Sequence, residues 1–299
     1  QVLLKFLLHL FVKLILYQKY CNKNNIKECF MQLCDTHCHL DDKRFEGDFE
    51  AVLERAKKAG ITRFVIPAAH LEDLERAREL AHKYEEVYFA SGLHPNYAYL
   101  YDEEFLKSFL GDEKCVAVGE CGLDYYRLEE ALAESKLGSI EELKRIQKEV
   151  FVAQIKLAMA YEKPLIVHIR EASSDSLEIL QKYAKDLKRG GVLHCFNADF
   201  QLLSLAKEGF YYGIGGVLTF KNARKLVEVL PKIPLESLLL ENDAPYLTPH
   251  PHRGERNEPA YIPLVLEKMS EILGIPKEIL IKQINLNTEN LFGEVFGAA

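Results

Sequence analysis

The sequence contains no tryptophan, only three methionines, and just 17 glycines and 11 prolines in 299 residues. That scarcity of glycine and proline excludes collagen-like and low-complexity chains. The seven cysteines are odd in number and include no C-x-x-C pair, so neither a disulfide framework nor a zinc ribbon is indicated. A reducing, cytoplasmic location fits that usage. An excess of positive charge is missing too. The formal net charge of −7 argues against a protein that coats long nucleic acid through a basic surface. Nor is there an apolar run of the roughly 20 residues that a membrane-spanning helix needs. The stretch Val2–Tyr17 is broken by Lys5, His9 and Lys13. What the chain has is 48% hydrophobic residues, with 15 Tyr and 16 Phe. That excludes a disordered chain and suffices for the core of one large domain.

Residues 1–30 stand apart. They hold five lysines and one acid, so 38 basic and 45 acidic residues become 33 and 44 over residues 31–299, a net −11. The stretch is rich in Lys, Asn, Ile, Leu and Tyr, and no small-residue cleavage site follows it. Met31 therefore reads as the natural start, with an interfacial amphipathic helix or a degenerate signal peptide as alternatives. The expectation is an extension over 1–30 outside the native fold and a single domain over 31–299, with no membrane contact.

From Met31 the chain alternates. Short β-rich runs occur at Leu33–His37, Arg63–Pro67, Val87–Gly92, Cys115–Gly119, Leu165–His168, Gly191–His194, Tyr211–Gly216 and Leu238–Leu240. Helical patterns lie between them. One is capped by Asp48, carries Val52, Leu53 and Ala56, and stops at Gly60. Others are Glu72–Lys83, a long one through Ile146, Val150, Ile155 and Leu157, then Ser174–Lys188, Asp199–Lys207, Lys221–Leu230, Ala260–Leu273 and Pro276–Ile284. Eight units of about 34 residues predict an α/β fold, a single-domain (β/α)8 TIM barrel. A doubly wound sheet is the rival.

Polar residues favour the barrel. Asp35, His37 and His39 follow the first apolar run in alternation, so they share one side of an extended chain. His94 follows the third run, Glu120 and Asp124 the fourth, His168 and Arg170 the fifth, His194 the sixth, and Glu241 and Asp243 the eighth. A barrel brings those strand ends to one rim, where active sites sit. Converging carboxylates need cations to offset their repulsion. Imidazole plus carboxylate without cysteine spacing suits Zn, Mn or Co, or Mg with more oxygen ligands. The candidate ligands outnumber what one catalytic ion needs. Two ions roughly 3.5–4 Å apart fit the set, with Glu120 the choice for a shared carboxylate. Cys38, Cys121 and Cys195 alternate with the ligands and read as packing residues.

At this point a resemblance becomes specific. Asp35-Thr36-His37-Cys38-His39-Leu40, the run Val118–Arg127, Val167-His168, His194-Cys195-Phe196, the run Glu241–Leu247 and Arg253–Pro259 occur in order. Together they resemble the TatD family of metal-dependent deoxyribonucleases across essentially all of residues 31–299. The resemblance implies a TIM-barrel metallohydrolase that cleaves DNA with divalent metal, several relatives being 3′–5′ exonucleases on single strands. It implies His37, His39 and Asp243 at one ion and His168 and His194 at the other, with Glu120 shared. It departs in three places. Asn242 stands where Thr is usual, Asn197-Ala198-Asp199 replaces the common Thr-Gly-Ser/Asn, and the connection Leu128–Ile140 is long.

The implied reaction is phosphodiester hydrolysis by a water acidified by divalent metal. Glu120 and Asp243 are the catalytic residues, with Asp243 also the proton acceptor and Asp35 orienting a ligating histidine from behind. The cofactors expected are two ions of Mg, Mn or Zn. The partner expected is DNA, held transiently at single-stranded ends, with no obligate protein partner. Arg253 and Arg256 are candidate phosphate donors, or else surface residues paired with Glu255 or Glu258. His94 either contacts substrate or holds its Pro95 turn. Tyr125 and Tyr126 either stack on a base or fill space under the long helix, the reading preferred here. His250 and His252 read as loop residues. The alternatives are a TatD-like deacylase, an amidohydrolase-type ester or C–N hydrolase, and a non-catalytic metal-binding protein. Glu120 stands where many barrel amidohydrolases carry a carboxylated lysine, which argues against that branch.

Overall fold

The computed structural model describes residues 32–293 and Phe296. The extension 1–30 and the start at Met31 lie outside the described residues. Eight strands form one parallel sheet in sequence order: β1 (Leu33–Asp35), β2 (Ile61–Pro67), β3 (Val87–Ser91), β4 (Cys115–Asp124), β5 (Leu165–Arg170), β6 (Gly191–Leu193), β7 (Phe210–Ile214) and β8 (Leu238–Leu240). The ring closes just past β1. The Thr36 amide donates to the Leu240 carbonyl at 3.2 Å and the Thr36 hydroxyl at 2.9 Å. The fold is a (β/α)8 barrel rather than an open doubly wound sheet.

The strands are apolar on both faces because both are covered. Cys34, Val65, Ala90, Ala117, Ile166, Val192 and Leu239, with Tyr211, supply one residue from each strand to an inner layer. Their neighbours Phe64, Ile66, Phe89, Val118, Leu165 and Val167 belong to the larger core under the helices. The helices are α1 (Phe49–Lys58), α2 (Asp73–Lys83), α3 (Glu103–Leu110), α4 (Leu128–Glu134), α5 (Ile140–Ala160), α6 (Ser173–Tyr183), α7 (Arg224–Val229), α8 (Ile262–Leu273) and α9 (Lys277–Phe292). Among the described residues, no helix is long and apolar enough to cross a membrane.

Several elements differ from the sequence reading. Helix α3 has no counterpart among the helical patterns of the sequence. It is only eight residues long, too short to show a helical period, and Asp102 caps it through the Phe105 amide at 3.0 Å. The Asp199–Lys207 pattern is a 3-10 helix over Phe200–Glu208. Helix α9 continues past Ile284, so that Leu291 and Phe292, with Phe296, close the inner layer from below. Strand β4 continues past Gly119 to Asp124. The long connection after β4 holds α4 and the start of α5, where Ser139 Oγ accepts from the Glu142 amide at 3.2 Å. Asp48 precedes α1 as expected, but its carboxylate does not cap the helix. It turns instead to Arg256, whose Nη1 and Nη2 lie 2.8 and 2.7 Å away.

Candidate metal centre

Strand alternation builds the site in layers. On β5, Ile166, His168 and Arg170 share one face. Ile166 sits in the inner layer, while His168 and Arg170 line a cavity of about 1150 Å³ at the strand ends. On β4 the pairing with β5 slips by one residue between Val118 and Cys121. Such a bulge re-aims a side chain, and Glu120 lies within it. The Glu120 side chain is 3% exposed.

Four of the imidazoles around that carboxylate belong to the expected ligands. His37 Nε2 lies 3.4 Å from Glu120 Oε2, His168 Nδ1 2.9 Å and His194 Nε2 3.4 Å from Oε1, and His39 Nε2 3.8 Å from Oε2. Asp243 Oδ1 stands 3.6 Å from His37 Nε2 and 3.5 Å from His39 Nε2. The structure thus brings His37, His39, Glu120, His168, His194 and Asp243 together. Asp243 holds φ at +56°, uncommon for a residue with a Cβ and characteristic of functional sites. Its amide donates to the His37 carbonyl at 2.9 Å, which ties the two ends of the barrel seam together.

A second ring of polar groups holds these side chains. Asp35 Oδ1 accepts the amides of His37 at 3.3 Å and Asn242 at 3.1 Å. It therefore orients the backbone of His37 rather than an imidazole, contrary to the simplest form of the expectation. Asn242, in place of Thr, accepts the Ala244 amide at 2.7 Å. Asp124 Oδ2 lies 3.0 Å from His168 Nε2, and its Oδ1 accepts the amides of Tyr126 and Arg127. Glu241 Oε1 lies 3.4 Å from His194 Nδ1. Gly213 makes room for it: a Cβ there would stand 2.1 Å from Glu241 Oε2. Gln147 and Gln154 of α5 bind the backbone of Asp124 and Leu93. The sequence by itself assigns no role to Asp124, Glu241 or the two glutamines. The carboxylates carried a usable signal, since each lies an even number of residues from a candidate ligand in its own segment.

The electrostatics suit cation binding. Burial opposes the charge on Glu120, but His194 and His37 outweigh it and hold the carboxyl well below its usual value. Burial likewise opposes charge on His194, yet Glu120 and Glu241 raise it to about 10. Burial and the neighbouring His194 lower the pKa of His37. An anion buried this deeply needs positive charge beside it. The imidazole nitrogens and carboxylate oxygens gathered here are the ligand types that divalent transition ions take. His37, His39 and Asp243 form one group with donor atoms within 4.8 Å of each other, and His37, Glu120 and His194 form another. His37 and His194 turn their Nε2 atoms to the centre, each 3.4 Å from Glu120.

His94 joins Glu120 and His168 in a third such group, with its Nε2 3.7 Å from Glu120 Oε1. Its Nδ1, however, accepts the Asn96 amide at 3.1 Å. Burial, then His168, lower its pKa to about 3. With Nδ1 accepting from Asn96, a neutral ring carries its proton on Nε2, which turns an N–H toward the cavity.

Other expectations fall elsewhere. Neither Arg253 nor Arg256 lines the cavity. Arg253 donates to the Thr248 carbonyl at 2.8 Å and covers Phe220. Arg256 is consumed by Asp48, a partner other than the Glu255 or Glu258 weighed from sequence. Cys38 and Cys121 are buried packing residues, but Cys195 borders the cavity. Tyr125 and Tyr126 part company. Tyr125 packs near α5 and bonds Asp175 at 2.6 Å, whereas Tyr126 is exposed.

The family model described as TatD related DNase matches residues 34–293. The chain belongs to the TatD family. It is 39% identical over 263 residues to the uncharacterized metal-dependent hydrolase YabD of Bacillus subtilis (strain 168), covering 86% of this chain and 96% of that one. To the uncharacterized metal-dependent hydrolase YcfH of Escherichia coli (strain K12) it is 37% identical over 267 residues, 88% and 96% of the two chains. Among solved structures, the TatD homolog YjjV from Escherichia coli K12 superposes with a TM-score of 0.78 at 34% identity, over 89% and 98% of the chains. A TatD family hydrolase from Entamoeba histolytica gives 0.73 at 25% identity, over 87% and 98%. This TatD-family chain is a metal-dependent hydrolase on a TIM barrel.

Proposed function

We propose that the protein is a deoxyribonuclease, hydrolysing phosphodiester bonds as a 3′–5′ exonuclease on single-stranded DNA. The observation that carries the reading is the convergence of two carboxylates and four imidazoles on one cavity beside a histidine locked as an N–H donor. The name of the matching family supports DNA as the substrate.

His37, His39 and Asp243 would hold one divalent ion, and His168 and His194 the other, with Glu120 shared. Bound there, such ions supply Lewis acidity and lower the pKa of water. The chain's own groups do the rest. The His39 bond offsets burial and keeps Asp243 ionised, so its carboxylate accepts a proton from the attacking water. His94 Nε2–H donates to a non-bridging phosphoryl oxygen. Asp35, Asp124 and Glu241 keep the segments and rings that carry the ligands in place, as partners behind a metal site do.

The test is digestion of end-labelled single-stranded DNA with Mg, Mn or Zn, alongside duplex and RNA. Stepwise loss of nucleotides from the 3′ end of single-stranded DNA is the expected result. Turnover of small esters or amides with no DNA cleavage under any ion would sink the reading.

A further inference from the structure

The cavity has two unlike walls. On the side of β1 and β2 it is bordered by Asp41, Asp42, Glu46, Glu72 and Asp73. Arg76 on that side is engaged by Glu46 at 3.4 Å and by the Asp41 carbonyl at 2.7 Å. Lys43 lies there too, but the five carboxyl groups outnumber the two basic side chains, so a polyanion is disfavoured. On the side of β4 and β5 stands Arg170, which lines the cavity and has no carboxylate within ion-pairing distance among the described residues. Its guanidinium lies 3.8 Å from the ring centroid of Tyr126. A buried or half-buried arginine normally finds a carboxylate; this one is held by an aromatic face instead, with its donors left over.

Tyr126 itself is 57% exposed, an unusual position for a large ring that packs on no core. It is nonetheless fixed relative to the centre. One carboxylate, Asp124, binds His168 through Oδ2 at 3.0 Å and the Tyr126 amide through Oδ1 at 2.9 Å. The opposite wall offers a contrast. Tyr246 is 48% exposed and also lies under an arginine, Arg44. That arginine, however, is bonded to Asp42 at 2.9 and 2.7 Å, so its charge is already met. Of these two pairs, the first alone combines an open ring with an unmet guanidinium.

We propose that Arg170 and Tyr126 clamp the nucleotide next to the scissile bond. Arg170 takes the phosphate adjacent to the one under attack, and Tyr126 stacks on that nucleotide's base. The strand then leaves the centre over β4 and β5, away from the acidic wall. A base stacked on Tyr126 cannot stay paired and stacked in a duplex, so the clamp selects single strands. The proposal rests on the phosphodiesterase reading above and deepens it by assigning the selectivity to two residues.

The experiment compares kcat/KM on a single-stranded oligodeoxynucleotide with kcat/KM on bis(p-nitrophenyl) phosphate, which has no neighbouring nucleotide. Arg170→Ala and Tyr126→Ala are expected to cost about tenfold or more on the oligonucleotide beyond any cost on the small ester, chiefly in KM. That lies within the range that losing a base–aromatic stack costs. Tyr126→Phe, which keeps the ring, restores the oligonucleotide rate to within about twofold. Arg170→Lys does not, because an ammonium can neither stack flat nor bind phosphate bidentately. A second readout needs no turnover. In an Asp243→Ala background, an oligonucleotide carrying 2-aminopurine beside its 3′ end is quenched on binding, and adding Tyr126→Ala removes the quenching. Equal losses on both substrates, or an unchanged quenching, overturn the clamp. If the unmodified protein cleaves the small ester but no DNA, the deoxyribonuclease reading fails and the clamp with it. If it cleaves DNA and the variants match it, the clamp alone fails.

Discussion

Gln154 binds both polar groups of a single backbone residue, Leu93: its Oε1 accepts the Leu93 amide at 2.8 Å and its Nε2 donates to the Leu93 carbonyl at 3.0 Å. Seven residues earlier on the same helix, Gln147 does the same for Asp124, at 3.1 and 3.2 Å. Seven residues is close to two helical turns, so both amides leave one face of α5. That helix sets the height of His94, next to Leu93, and of Asp124, behind His168.

Gln154→Leu leaves the two buried groups of Leu93 without partners. Each such loss costs about 1–3 kcal/mol, so a destabilisation of about 2–6 kcal/mol is expected in urea unfolding. Turnover falls as well, because His94 loses its support. Metal content by elemental analysis stays at the wild-type level, since no proposed ligand is carried by that segment. A fall in bound metal equal to the fall in rate would show that α5 supports the ligands directly.

Glu120→Ala and Asp243→Ala are expected to lower turnover by orders of magnitude while the protein stays folded. Both side chains face the cavity rather than the inner layer, so truncation opens no core void. The two variants differ in metal content. Glu120→Ala weakens both ions and Asp243→Ala mainly one, read by mass spectrometry of the desalted protein. Exhaustive chelation abolishes activity of the wild type and re-addition of divalent metal restores it.

His94→Phe removes a donor without removing a ligand. A rate loss of about 10²–10³ is the scale for one donor to a developing charge, and metal stoichiometry is unchanged. In ¹⁵N-histidine spectra of the wild type, His94 keeps an unprotonated Nδ1 and a protonated Nε2 with and without metal. A metal-induced shift of its Nε2 signal into the ligated range contradicts the assignment.

The pair Asp48–Arg256 makes a pH-dependent contribution. Arg256 holds the Asp48 carboxyl below its ordinary value. A depressed carboxyl stabilises the fold above the unfolded pKa of about 3.9, and loses that contribution as the pH falls through the lower folded value. Asp48→Asn is therefore less stable than the wild type at pH 7, and the gap closes below about pH 4. The pair is partly exposed, so solvent screening keeps the gap under about 1 kcal/mol. Urea titrations of both proteins between pH 7 and pH 3, with chelator present, measure it.

A chain beginning at Met31 is expected to fold and to turn over short substrates at the full rate. Strand β1 starts at Leu33, and every proposed ligand lies beyond it. If residues 1–30 helped hold DNA, their five lysines would make the salt dependence of binding steeper in the longer chain. Insoluble protein after truncation would contradict the expectation.

What the sequence by itself determined was everything carried by local order. Alternation put His37 beside His39, apolar runs marked the eight strands, and each ligand candidate followed its run at the strand's C-terminal end. A parallel barrel converts that one-dimensional rule into a ring, so the six side chains were legible before any contact was known. What only the tertiary structure decided were pairings between distant segments. Asp48 and Arg256 each had a plausible separate role, a helix cap and a phosphate donor, yet they meet at 2.7 Å and cancel both. Gln154 and Leu93 show no mutual pattern in the chain. Tyr125 and Tyr126 are neighbours of the same type, and only packing sends one toward Asp175 and leaves the other open beside Arg170. The physical reason is common to all of these. Periodicity tells which side of its own element a residue faces, whereas its partner is chosen by the element that happens to pack there, and that choice is made by the closed barrel as a whole.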